Sequence, residues 1–207
     1  MELITNDLFQ GICGIVFLHI TENTAMITNI VETIQKNLGY PSLQKIDPNS
    51  QEVKHIAGTS PTEKLGQAAI TAVLAGLINY SRSESGSTYL FSHAGEGQNW
   101  LEKFFGTRKQ EAVDKVAHYS GTSSTDAAGQ MQAVANEAVR VIHESAGIKE
   151  TPERIRTFLN GQRHNILLYL PAAMQFGDLL KDDSLDDRTH KMEGPISNFI
   201  HSIEKKF

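Results

Sequence analysis

The sequence predicts an all-α fold: a multi-helix globular domain built around one central apolar helix, with an N-terminal helical arm. Three observations predict it. Alanine is plentiful and aromatics make up only 7% of the chain, a mixture that suits closely packed helices better than β-sheets, which draw on β-branched and aromatic residues. The run from Leu65 to Ile78, LGQAAITAVLAGLI, is apolar on nearly every side, and a soluble helix of that kind is buried all round. Helix-start signals recur elsewhere as capping residues followed by apolar positions at spacings of three and four.

Taken in order, residues Leu3 to Leu18 put Leu8, Ile12, Ile15 and Val16 on a helical spacing. A second helix is expected from Glu22 to Leu38, with Ile27, Ile30, Val31, Ile34 and Leu38 as its stripe and Gly39 as its stop. Tyr40 to Gly58 is rich in Pro, Asn, Asp and Ser and reads as a connector. The third helix starts at a capping box, Ser60 with Glu63, and has Pro61 at its first position. It carries the apolar run through Ile78. Its small residues (Gly66, Ala68, Ala69, Ala72, Ala75 and Gly76) are expected to let neighbouring helices approach closely.

Ser81 to Gly97 is polar, with a short helix expected around Thr88 and with Leu90 and Phe91 as anchors. Gln98 to Phe105 reads as a short amphipathic helix ended by Gly106. Thr107 with Gln110 offers a capping box for a helix to Tyr119 whose inner face is Val113, Val116 and Ala117. Ser123 with Asp126 opens another helix, which turns Met131, Val134, Ala138, Val141 and Ile142 inward. Three short helices follow: Thr151 to Leu159, broken by Gly161; Gln162 to Tyr169; and one from Pro171 to Leu180. Lys181 to Arg188 is an acidic loop, and Lys191 to Phe207 a final helix. The expected divisions are 1–57 for the arm and connector, 58–180 for the helical core, and 181–207 for the acidic loop and last helix.

The start of the third helix has an echo. Gly58-Thr-Ser-Pro-Thr-Glu-Lys-Leu-Gly-Gln67 matches Gly121-Thr-Ser-Ser-Thr-Asp-Ala-Ala-Gly-Gln130 at the Gly, Thr, Ser, second Thr, Gly and Gln. Two readings stand. The 58–78 and 121–141 segments are copies of one unit, or capped helix starts have converged on the same few residues.

The net charge of −5 disfavours a general nucleic-acid or anionic-membrane binder. No apolar run approaches the roughly 20 residues of a membrane span. A single cysteine, Cys13, excludes an internal disulfide and fits a reducing cytoplasm. It sits in an apolar stretch without a nearby Lys or Arg to lower its pKa, as an inert buried thiol would.

Val116-Ala117, Ser120-Gly121 and Ser123 follow the middle of a helix-turn-helix. The helix after the turn leads with Ser124, Thr125, Asp126 and Gln130, and its first cation is Arg140, so phosphates would find little to bind. The eight histidines are scattered and form no ligand pair such as HExxH. Asp182, Asp183, Asp186 and Asp187 lack the spacing and turn glycine of an EF-hand. No nucleophile elbow, P-loop or dinucleotide fingerprint is present. Arg154, Arg156 and Arg163 with His164 form the basic concentration of the chain, able to meet an anion or an acidic partner. A site would have to be assembled in three dimensions, around His118, His143 or these arginines.

Three segments carry a resemblance to a known family. They are Leu65–Leu77 followed by Gly86-Ser-Thr-Tyr-Leu90; Leu101-Glu-Lys-Phe-Phe-Gly106 with Val116-Ala117 and Ser120-Gly121; and Phe158-Leu-Asn-Gly-Gln162 with Leu170-Pro-Ala-Ala173. In order and spacing the chain resembles the YidB-like family of bacterial proteins, a domain of unknown function, from about Pro61 to Phe176. The family usually shows a proline in the helix matching Gln132–Val141, where this chain has Ala133-Val-Ala-Asn-Glu137. The resemblance implies an all-helical bacterial protein and carries over no catalytic residue.

The expected function is a non-catalytic helical interaction or scaffold module, cytoplasmic, with a protein or a second copy as partner. The alternative is a helix-turn-helix-like regulator that binds nucleic acid. No catalytic, cofactor-binding or metal residue is assigned, and no small-molecule ligand is expected.

Overall fold

A computed structural model describes residues 29–46, 60–93, 98–145 and 147–182. Among these the secondary structure is helical: α1 (Ile30–Asn37), α2 (Pro61–Ser81), α3 (Glu84–Ser92), α4 (Trp100–Phe105), α5 (Lys109–Ser120), α6 (Ser124–Glu144), α7 (Pro152–Leu167) and α8 (Phe176–Leu180). Short 3-10 turns at Gly106–Arg108 and Ala172–Met174 precede α5 and α8.

The central helix begins as its residues dictate. Ser60 Oγ accepts from the Glu63 N–H at 3.2 Å, and Glu63 Oε2 accepts from the Ser60 N–H at 2.9 Å, which closes the capping box. Every residue from Leu65 to Ile78 is buried. Helices α1, α3, α4, α5, α6, α7 and α8 all pack on α2, because an all-round apolar helix has no face to spare for water. Each buried Leu or Ile contributes about 1.5–3 kcal/mol relative to exposure.

Close approach depends on two missing side chains. A Cβ added at Gly76 would lie 2.6 Å from Phe105 Cζ, and one at Gly66 would lie 2.6 Å from Tyr40 Cδ1. Phe105 also meets Phe176 edge-on at 6.2 Å, and Trp100 stacks on Phe104 at 5.9 Å. The short helix α4 is held by this aromatic layer, with all of Trp100, Leu101, Phe104 and Phe105 buried.

Polar groups inside the core are matched. The buried Gln67 accepts from Gln44 N (2.9 Å) and donates to Gln44 O (3.0 Å) and to Tyr169 O. It therefore pins the segment after α1 and the chain after α7 onto α2. Thr71 Oγ1 donates back to Gln67 O at 2.8 Å. Gln162 Oε1 accepts from Ile30 N at 3.1 Å, capping the first turn of α1 from a distant helix.

Several expectations are corrected. The helix expected from Glu22 starts, in the described residues, at Ile30. Asn29 has an extended backbone and its side chain accepts from the Val31 and Glu32 N–H groups, a stronger start than Glu22 offers. A Schellman ending at left-handed Gly39 closes α1, with Tyr40 N on Gln35 O and Gly39 N on Lys36 O. Ile30, Val31 and Ile34 of α1 are fully buried, and α1 packs against α2, α6 and α7.

Thr107 and Gln110 do not form a capping box. The 3-10 turn feeds α5 directly, Arg108 precedes it without a side-chain cap, and Gln110 instead donates to Asp114 Oδ1 at 2.9 Å. Phe91 is not an anchor: at 40% exposure it points outward, while Gly86, Ser87 and Leu90 face in. Gly161 does not break α7. Ile155, Leu159, Gln162 and Ile166 make one continuous buried face, and Gly161 lies opposite with nothing near its missing Cβ. A mid-helix Gly costs about 1 kcal/mol against Ala, less than burying that face returns. The helix expected from Pro171 to Leu180 is split, because Gln175 adopts a left-handed φ of 49° between the Ala172–Met174 turn and α8.

Asp182 belongs to the packed body, while Lys181 before it is exposed. Asp182, 9% exposed, pairs with Arg82 at 2.6 Å. The expected helices over 3–18 and 191–207, Cys13, and Asp183, Asp186 and Asp187 lie outside the described residues.

Three substitutions test this packing by urea denaturation. Gly76→Val should lower stability by about 1–3 kcal/mol through overpacking against Phe105. Gly161→Ala should raise it by about 0.5–1 kcal/mol. Gly121→Val should lower it by about 1–2 kcal/mol, because φ is +71° at that position. Equal midpoints for the Gly76 variant and the wild type would refute the close approach.

Candidate functional site

Helix α5 turns Val113, Val116 and Ala117 into the core, which leaves Glu111, Asp114, Lys115 and His118 at helical spacings on its outer side. The chain after α7 returns to α5 through the Ala172–Met174 turn. Between them lies an open groove of about 910 Å³, with Met174 and Tyr119 beside the charged side chains and left-handed Gln175 at its rim. Its size is in the range of ligand pockets, but those are enclosed and mostly apolar, whereas this groove is open and carries both signs of charge. It suits a polypeptide segment better than an enclosed small molecule.

The Asp114 carboxylate is built into the neighbouring corner. Its Oδ1 accepts from Gln110 Nε2 (2.9 Å) and from Ser124 Oγ (2.8 Å), so it ties α5 to the start of α6. The corner itself has helix-turn-helix elements: Gly121 is left-handed, Thr122 N reaches Ala117 O at 3.1 Å, and Ser123 caps α6 by accepting from Asp126 N at 3.0 Å. The leading side chains of α6, Ser124, Thr125, Asp126 and Gln130, are exposed. The charges nearest this turn on α5 and α6 are Asp114, Lys115 and Asp126, a mixed surface and not a positive one.

Arg140 serves the fold. It grips both carboxylate oxygens of Glu137, with Nε at 2.7 Å from Oε2 and Nη2 at 2.5 Å from Oε1, and it also donates to Glu144. Asn37 adds a bond to Glu137 Oε1 at 2.7 Å, linking α1 to α6. The guanidinium of Arg140 holds the Glu137 carboxyl below its ordinary range, with Asn37 contributing against the opposing effect of burial.

The histidines do not converge. His118 lines the α5 groove. His143 Nε2 lies 2.6 Å from Leu90 O, joining α6 to α3; a carbonyl can only accept, so this nitrogen carries the proton. His93 stacks on Tyr89 at 3.9 Å, and Lys103 Nζ sits 4.5 Å from the same ring. His164 is exposed on α7; His19, His55, His190 and His201 lie outside the described residues. Arg154 pairs with Glu150 at 3.2 Å, and Arg156 and Arg163 sit elsewhere along α7. Neither the α5 groove nor a shallow depression over α3 gathers His143 or these arginines. Among the described residues no three His, Cys, Asp or Glu side chains cluster to hold a metal ion, and no helix is long and apolar enough to cross a membrane.

The residues that sequence reasoning left unassigned are Gln67, Gln162, Glu137 and Gln175. Gln67 carried a signal, as the strongest polar residue inside the apolar run, but its partners lie 23 and 102 positions away. The echoed segments share caps but differ in surroundings. Gly66 is covered by the Tyr40 ring and Gly129 is open, while Tyr40 OH donates to Gln130 Oε1.

Comparison with family models, with curated proteins and with solved structures returns no match to this chain.

Glu137 makes an acid-stability prediction. Its folded-state pKa lies below the ordinary 4.5, so its contribution is complete above pH 4.5 and is lost as pH falls through the lowered value. Arg140 is partly exposed, which limits the pair to about 1 kcal/mol. Glu137→Gln should therefore melt about 2–4 °C below wild type at pH 7. That gap should narrow below pH 4.5; a gap constant from pH 7 to pH 3 would contradict the ion pair.

Proposed function

We propose that this protein is a non-catalytic helical interaction module of the YidB-like kind, acting in a bacterial cytoplasm. A polypeptide segment of its partner lies in the groove between α5 and the Ala172–Met174 turn. The observation that carries this reading is the groove's lining: Glu111, Asp114, Lys115 and His118 present both signs beside Tyr119 and Met174 in an open channel. A backbone with its own donors and acceptors and mixed side chains complements such a lining, with charge setting register and the partly exposed Tyr119 ring adding contact area. The colinear motifs from Pro61 to Phe176 support the family reading.

The second reading, a nucleic-acid-binding regulator, is favoured by one feature, the α5–Gly121–α6 corner. Its exposed leading side chains include Asp126 and lack a cation, which is poor ground for phosphate contacts.

A photo-crosslinking residue at exposed Glu111 tests both readings in living cells. The expected result is a discrete protein adduct that is absent when the crosslinker replaces exposed Asn136 on α6. No adduct, or the same adducts at both positions, would remove the groove as a docking site. A nucleic-acid adduct at Ser124 would favour the second reading.

A further inference from the structure

We propose that the flank of α7 beside its buried stripe is a second docking surface, which receives an acidic polypeptide segment through Arg156 and Arg163. The inference is independent of the α5 groove and shares no residue with it.

The described arginines divide into two sets. Arg82 pairs with Asp182, Arg140 with Glu137 and Glu144, and Arg154 with Glu150, while Arg108 donates to Leu179 O. Arg156 and Arg163 are half-buried and make no ion pair or hydrogen bond within the described chain. Arg163 goes further: its Nε is buried and donates to nothing. A guanidinium held partly out of water without an acceptor costs the fold free energy. An incoming carboxylate does not reach that buried atom but pairs with the terminal nitrogens of the half-buried fork, which take carboxylates in a bidentate fashion.

The two side chains are seven residues apart, so they leave the same side of α7 about 10.5 Å apart along its axis. Exposed Asn160 lies between them, four residues after Arg156, and offers an amide to the backbone of a bound chain. The match for this array is a chain with carboxylates at every third residue in polyproline II form. That form returns the same face each turn, at about 9.3 Å. A nucleic-acid backbone fits less well. Glu153 stands in the first turn of α7 with Glu150 just before it, and the whole chain carries −5. A run of phosphates, with one charge per nucleotide, would be repelled more strongly than carboxylates spaced one to every three residues.

The test uses a labelled ruler peptide, (Glu-Pro-Pro) repeated four times, in fluorescence anisotropy with the full chain at low salt. A Gln-Pro-Pro ruler and a twenty-nucleotide oligo-dT serve as comparisons. The Glu ruler should bind and weaken as salt rises, and the Gln ruler should not bind. Arg156→Gln and Arg163→Gln should each weaken binding about three- to tenfold, and Arg154→Gln by less than twofold. Because Arg163 Nε is unsatisfied, Arg163→Met should melt no lower than wild type while binding the ruler less tightly, which separates docking from a structural role. Equal binding of the Glu and Gln rulers, or unchanged binding by the double Gln variant, would overturn the proposal. Tighter, arginine-dependent binding of oligo-dT would overturn the acidic-peptide partner in favour of phosphate.

Discussion

The structure depends on one constraint: α2 is apolar on every side and must be enclosed. A helix with one apolar stripe can sit on a surface, but a helix without a polar face has to be surrounded. That requirement recruits helices from both ends of the described chain, α1 before it and α8 far after it. It also sets the terms for polar atoms. Gln67 and Thr71 lie inside the wrapped segment, and both are satisfied, one by the backbones of Gln44 and Tyr169 and the other by the preceding turn of its own helix. Left unpaired, such groups would cost about 1–3 kcal/mol each. The amide of Gln67 is therefore both a satisfied polar group and the clip that orders two distant segments.

Enclosure is possible because the central helix is thin. Gly66 and Gly76 admit the rings of Tyr40 and Phe105 to the helix backbone itself. The echoed segment of α6 shows how position decides the meaning of the same letters. Gly129 and Gln130 occupy the places of Gly66 and Gln67 in the echo, but they stand on an exposed face. The equivalence holds at the capped starts, where Ser60 and Ser123 both accept from the third helical residue. Beyond that turn the two helices serve different surroundings, one wrapped and one partly exposed.

Charges in this protein are mostly spent on architecture. Arg82, Arg108 and Arg140 fasten Asp182, α8 and the α1–α6 contact. Against that background the places where charge is not spent stand out: the mixed lining of the α5 groove and the two unmatched guanidiniums of α7. A scaffold needs such surfaces, because docking by charge leaves the apolar core undisturbed and sets register and encounter rate. Gln175 fits the same view. A left-handed backbone at a residue other than Gly is strained, and here it sits at the rim of the groove.

Local chemistry in the sequence determined the all-α class, the central helix, the Ser60 box, the Ser123 cap and the glycine at the α5–α6 turn. These depend on neighbours within a few residues, where steric and capping rules act directly. The same rules misplaced what tertiary contact decides. Gly161 looked like a break until the continuous Ile155–Ile166 face outweighed its helix penalty, and Phe91 looked like an anchor until Leu90 took the inward position on α3. Thr107 looked like a cap until the chain entered α5 through a 3-10 turn. The candidate sites were legible only in part. Arg156 and Arg163 could be noted as a basic concentration, but a sequence does not reveal which arginines find acceptors. His118 could be noted, but not that the 172–175 segment returns beside it. The groove, like the Arg82–Asp182 and Arg108–Leu179 links, depends on partners dozens of residues away, which only the folded chain brings within reach.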